Sequence, residues 1–194
     1  MNRIAVRSLA AAAAFAATAF ALPAASATGT PASGTVALTA SNAFITSALQ
    51  SGIAAVPLPS ATGSYNSTTG ATVTFPVTGG NADLARFTGT VTLGGGLAFA
   101  DARTGRIVCL HQVTLGGDTE ALAAVPDGAT APVALFDLGL NTIGSGIGTT
   151  PQTLNGDAVL DSAGAAYLDS ALHTTFFTAG QTVGSLNVSY TPAS

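Results

Sequence analysis

Ala71-Thr72-Val73-Thr74-Phe75-Pro76-Val77 puts an apolar side chain at every second position, and its reading decides the fold of the chain. Period two marks a strand, because successive side chains on a strand face opposite sides of the sheet. Thr78-Gly79-Gly80-Asn81 follows as a turn. Phe87-Thr88-Gly89-Thr90-Val91-Thr92-Leu93 alternates again, and Gly94-Gly95-Gly96 reads as the next turn. Leu97-Ala98-Phe99-Ala100 is a short strand ending at Asp101-Ala102-Arg103-Thr104-Gly105. Arg106 to Leu115 is another, closed by Gly116-Gly117-Asp118. Short alternating runs cut by glycine-rich turns predict a mostly β fold: an antiparallel β-sandwich or open barrel.

The pattern continues outward. Residues 120–126, 133–138 and 153–160 read as further strands, and 141–151 as a Gly/Thr/Ser loop. Two segments break the alternation. Asn42 to Gln50 predicts a short helix capped by Ser41 and ended by Gly52, and residues 162–172 predict a second capped by Asp161. Ala43-Phe44-Ile45-Thr46-Ser47-Ala48-Leu49 lines up with Ala166-Tyr167-Leu168-Asp169-Ser170-Ala171-Leu172, so each helix carries an aromatic and leucine face to lay across the β-layer. Val73, Phe75, Val91, Leu93, Ile107, Cys109, Leu135 and Phe136 are the expected core.

The N-terminus reads as an export signal. Arg3 and Arg7 make a positive start, Ser8 to Leu22 is uncharged and alanine-rich, Pro23 breaks it, and Ala25-Ser26-Ala27 supplies small residues for cleavage after Ala27. The apolar run is about 15 residues, short of the ~20 that a membrane-spanning helix needs. Residues 1–27 are therefore expected to be a cleaved secretory signal, 28–34 a flexible mature N-terminus, and 35–194 a single β-sandwich domain, secreted or held in the cell envelope.

Removing residues 1–27 leaves 167, enough to bury a core without disulfides. The lone cysteine, Cys109, cannot pair within the chain and is expected to be a buried, inert thiol. Lysine is absent. Arg86, Arg103 and Arg106 stand against nine acids, a formal charge of −6 for this portion. No basic patch offers itself to phosphates, so no nucleic-acid partner is expected.

No constellation of chemical groups rises above structure. Cys109 and His111 share a strand face but supply two ligands, where a structural zinc site wants four. His111 and His173 are the only histidines, and both read as structural or surface residues. Gly144-Ser145-Gly146-Ile147-Gly148 lacks the strand–elbow–helix context of a nucleophile. Asp118 and Glu120 read as solvated turn carboxylates. No catalytic residue, metal ligand or cofactor is assigned, and the cofactor-binding residues stay open. The expected function is a non-enzymatic binding module with a small-molecule or cell-surface partner, the alternative being a secreted hydrolase with an unrecognised site.

Phe75-Pro76-Val77-Thr78-Gly79-Gly80, Thr88-Gly89-Thr90-Val91, Gly95-Gly96-Leu97-Ala98-Phe99 and Val133-Ala134-Leu135-Phe136-Asp137-Leu138 together resemble small secreted β-proteins of high-GC actinobacteria. Those in turn look like the haem-transport-associated (HtaA-type) domain, over about residues 35 to 190. The resemblance implies a β-rich cell-envelope module and, as a further alternative function, haem binding. In that domain an aromatic residue is followed three positions on by an iron-ligating tyrosine; here Phe44 is followed by Ser47. Its histidine falls just after the strand matching Leu97-Ala98-Phe99; here that region is Ala100-Asp101-Ala102. Tyr65, Tyr167, Tyr190, His111 and His173 are the remaining ligand types. Tyr65 reads as a turn residue, Tyr167 as core and Tyr190 as the end of a strand.

Overall fold

The computed structural model describes residues 29–139, 142–146, 148 and 150–194. The expected signal segment, 1–27, lies outside the described residues. In chain order the elements are β1 (Ser33–Ala40), α1 (Asn42–Gln50), β2 (Ile53–Leu58), β3 (Thr62–Asn66), β4 (Gly70–Gly80), β5 (Thr90–Leu93), β6 (Gly96–Asp101), β7 (Arg106–Gly116), β8 (Ala121–Pro126), β9 (Val133–Leu138), β10 (Ile143–Ser145), β11 (Gln152–Leu160), α2 (Ser162–Leu172) and β12 (Thr182–Thr191). β1 takes in Ser33 and Gly34 from the stretch read as a flexible N-terminus, and β10 lies within the stretch read as a loop.

The strands form a closed barrel rather than a sandwich or an open barrel. Eight of them run β7-β5-β4-β1-β12-β11-β9-β8, and pairing of β8 with β7 closes the ring, antiparallel throughout. Alternation specifies one buried face per strand, which a sandwich and a barrel satisfy equally. The closing ladder joins residues whose sequence pattern carries no mark of it.

One half of the barrel is wider than the other. Gly94-Gly95-Gly96, read from the sequence as a turn, does not join β5 and β6 as a hairpin. Both run along the same edge of β7, with Thr92 opposite Thr114 and Leu97 opposite Leu110. In the narrow half β5 pairs directly with the far end of β4. In the wide half β2 lies on β6 and β3 lies on the near end of β4, so the β2–β3 segment is driven between them as a wedge. Its tip, Ala61, sits where a side chain on Gly95 (φ 85) would have to be, and this is why the chain is glycine there.

The strand faces follow from register. Phe75, Val91, Leu93, Leu135 and Phe136 are buried as expected, and Val73 is half-buried. Ile107 and Cys109 are not core residues: Ile107 is 68% exposed and Cys109 only half-buried. The cause is a bulge between His111 and Thr114, where Gln112 has φ 50. An extra residue in one strand reverses the phase of alternation. Val113 and Leu115 point inward after the bulge, whereas Val108 and Leu110 do so before it.

Both helices cover the wide end. Ser41 caps α1 by accepting from the Phe44 amide, and Asp161 caps α2 by accepting from the amides of Ala163 and Gly164. The β6–β7 turn fastens both C-termini. The Arg103 guanidinium donates to the Gln50 carbonyl, while Thr104 Oγ1 (3.0 Å) donates to the Leu172 carbonyl and Arg106 (3.5 Å) to that of Ala171. Cationic and hydroxyl donors here satisfy carbonyls that a helix leaves unpaired.

Candidate functional site

Beneath α1 the wide half encloses a cavity of about 180 Å³. Its walls come from α1 (Phe44, Ile45, Ala48, Leu49), β2 (Ala54, Ala55), β4 (Ala71, Val73), β6 (Leu97, Phe99) and, from the far side, Phe136, Leu160, Leu168, Phe177 and Val183. Every lining side chain is hydrocarbon. The wedge supplies the space, since it lengthens the circumference at this end. Alanine keeps that space open where larger residues would fill it, at positions 40, 48, 54, 55 and 71. Apolar cavities of about 150 Å³ stay dry and take guests the size of benzene. The aromatic cluster at the floor is ordered edge to face, with Phe99–Phe177 centroids 5.9 Å apart and Phe176–Phe177 5.0 Å.

The two segments at which the HtaA-type domain would place its iron ligands meet at this end. α1 carries Ser47, and the strand leaving α1 pairs Ile53 with Asp101. Neither position offers an iron ligand of the expected kind. Ser47 is exposed, and the buried Asp101 carboxylate accepts from the Arg103 amide at 2.7 Å. Haem does not fit this set of residues: the cavity lining carries no nitrogen, sulfur or oxygen side-chain donor.

The remaining candidates are scattered. His111 lies on the surface, 2.9 Å from Asp127. His173 is the exposed, left-handed C-cap of α2 (φ 58). Tyr167 is half-buried, and its hydroxyl pKa is raised by burial and by the Asp127 charge. Tyr190 is wholly buried in β12, and its hydroxyl has no hydrogen-bond partner among the described residues. Tyr65 is not in a turn. It belongs to β3 opposite Ala71, 68% exposed, with its hydroxyl 3.4 Å from the Asn42 side-chain oxygen. No group of three or more metal-ligating side chains occurs among the described residues, and no helix there is long and apolar enough to cross a membrane. The sequence reading missed the cavity. Its only trace in the sequence is alanine at positions that interior alternation would fill with larger residues.

Asp137 on β9 lies beside the helix-capping Asp161. Burial, then the Asp161 charge and a hydrogen bond to it, raise the Asp137 pKa above its usual 3.8. A raised folded-state pKa means that the native protein holds this proton more tightly than the unfolded chain. The associated stability is complete below the unfolded value and is lost as pH rises through the folded one. Asp137→Asn should therefore raise the melting midpoint at pH 7, with the gap over the parent closing towards pH 3. An unchanged midpoint at pH 7 would show that the two carboxylates do not interact.

No family model matches the chain, and no curated protein matches it by sequence. Solved structures do match its fold. The C-terminal domain of HtaA from Corynebacterium glutamicum superposes with a TM-score of 0.57 at 13% identity, covering 84% of this chain and 98% of that one. The heme binding protein HtaB from the same organism gives 0.56 at 13%, covering 86% and 97%. A domain-swapped dimeric variant of the HtaA domain gives 0.52 at 16%, covering 77% and 90%. The HtaA-like likeness read from the sequence is thus a likeness of fold.

Proposed function

We propose that this chain is an exported, non-enzymatic binding module that holds a small apolar group in the cavity beneath α1. The observation that carries this is the cavity itself: about 180 Å³, lined only by hydrocarbon, at the wide end of the barrel. Ligand sites are typically concave and mostly apolar, and one of the solved structures that share this fold is that of a heme binding protein, HtaB. The expected export signal and the likeness to HtaA and HtaB together support a place outside the cell or in its envelope.

The neutral dye N-phenyl-1-naphthylamine tests the reading. It should brighten on binding, and Ala48→Leu, which fills the cavity from α1, should abolish the signal while circular dichroism stays unchanged. Dye bound equally by Ala48→Leu and the parent would sink the proposal.

Haem capture is the second reading, favoured by the shared fold and opposed by Ser47 and by Ala100 to Ala102. A specific haem site depends on an axial ligand and the groups around it. Hemin titration should show no Soret shift that vanishes with one substitution. A stoichiometric shift lost in Tyr65→Phe, Tyr167→Phe or His111→Ala would make haem the leading reading, with its site moved from the familiar position.

A further inference from the structure

α1, β2 and β4 supply one side of the cavity lining, β3 lies on the outer edge of β4 there, and the polar side chains where α1 meets β3 are hydrogen-bonding and uncharged. β2 and β3 follow one another in the chain, yet no backbone ladder joins them; β2 pairs only with β6, and β3 only with β4. They touch near the tip, where Pro57 lies against Gly63. Away from the tip α1 bridges the gap. Its first residue, Asn42, donates to the Ser67 carbonyl at 2.8 Å just past β3, and its last turn runs through Ser51 and Gly52 into β2. Partners across an antiparallel pair share a face. Tyr65 therefore stands on the same face as the lining residue Ala71, one step outside the cavity, within reach of Asn42. Leu49, a lining residue, is 61% exposed on the same helix. Arg103 is at the opposite end of α1, engaged with the Gln50 carbonyl.

We infer that the ligand is a neutral amphiphile, entering through the β2–β3 seam with its apolar part in the cavity and a hydroxyl or carbonyl head at Tyr65 and Asn42. The inference rests on the cavity being the binding site, as proposed above. The cavity volume takes a short alkyl chain or one ring of a larger ligand, such as the phenyl ring of the dye, with the rest lying outside it. A carboxylate or ammonium head would lie at a rim where Asn42, Tyr65, Thr46 and Ser67 offer no countercharge, and a charge desolvated without a partner is penalised.

Displacement of bound N-phenyl-1-naphthylamine by 1-octanol, octanoate and octyltrimethylammonium at pH 7.5 tests this. Octanol should displace the dye best, and Tyr65→Phe should weaken octanol about 3- to 10-fold, as loss of one neutral hydrogen bond does. The same substitution should leave the dye's own affinity unchanged, because the dye lacks that head. Tyr190→Phe, altered in a tyrosine away from the lining, should behave as the parent. Dye binding with three equal competitors and no effect of Tyr65→Phe overturns the inference and leaves the binding reading standing. Octanoate displacing best overturns the neutral head. Failure of the parent to bind the dye overturns both.

Discussion

Phe75→Ala should cost about 3–5 kcal/mol of unfolding free energy, since the ring is fully buried and truncation leaves both lost contacts and a hole. The site cannot readily collapse around the gap. Phe75 lies in the middle of β4, opposite Val36 of β1, itself fully buried, and each is held in place by ladder pairing with its neighbours. Phe136→Ala should fall in the same range but towards its lower end, because that ring lines the cavity and already lacks neighbours on one side. Ile107→Ala should stay within about 0.5 kcal/mol, as changes at exposed sites do. Urea unfolding of the three variants reads the strand phase directly. A loss at Ile107 as large as that at Phe75 would mean that the bulge in β7 is absent and that the alternation of Arg106 to Leu115 runs unbroken.

That comparison marks where the fold was legible. The alternation of Ala71 to Val77 fixed which side of β4 faces inward, and the same reading placed Val91, Leu93, Leu135 and Phe136 inside. Both helices lie where Ser41 and Asp161 put their caps. β7 shows the limit. Ile107-Val108-Cys109-Leu110 is apolar on both faces and does not itself say which face is inward, and the reversal at Gln112 comes from two residues opposing one across the β7–β8 ladder, which depends on the partner strand. The wedge was harder to read. Pro57 interrupts β2 and Pro59 follows its end, and Thr62-Gly63-Ser64-Tyr65-Asn66 is exposed along its whole length, so neither strand carries the alternating signal of a half-buried sheet. The cavity follows from the wedge and was illegible for the same reason. The candidate ligands Tyr167, Tyr190, His111 and His173 were visible as residue types, but the sequence could not say that the barrel disperses them.

The corner between β1 and α1 should be among the backbone positions that least tolerate an added side chain. β1 is flanked there by β4 and β12, and each presents a glycine to the turning chain. A side chain on Gly70 would overlap the Ala40 carbonyl oxygen, and one on Gly184 would overlap that of Thr39. Gly70 also has φ 109, outside the range that L-residues tolerate. Gly70→Ala should cost about 1–3 kcal/mol for conformation alone, with the overlap in addition. Gly184→Ala, at ordinary φ, carries the overlap alone, about 1–3 kcal/mol on the scale of an overpacked core. The overlaps fall on backbone, so relief requires the corner itself to move. Ser41 donates its amide to the Val183 carbonyl and caps α1, and displacing it loosens the roof of the cavity. Both variants should therefore lose dye binding out of proportion to their loss of stability. Gly105→Ala is the control: its φ of 70 lies near the left-handed basin, and a side chain there would meet nothing within 4 Å. If Gly70→Ala and Gly184→Ala matched Gly105→Ala in stability and still bound the dye, the corner would have slack, and α1 would not owe its position over the cavity to those two bare strands.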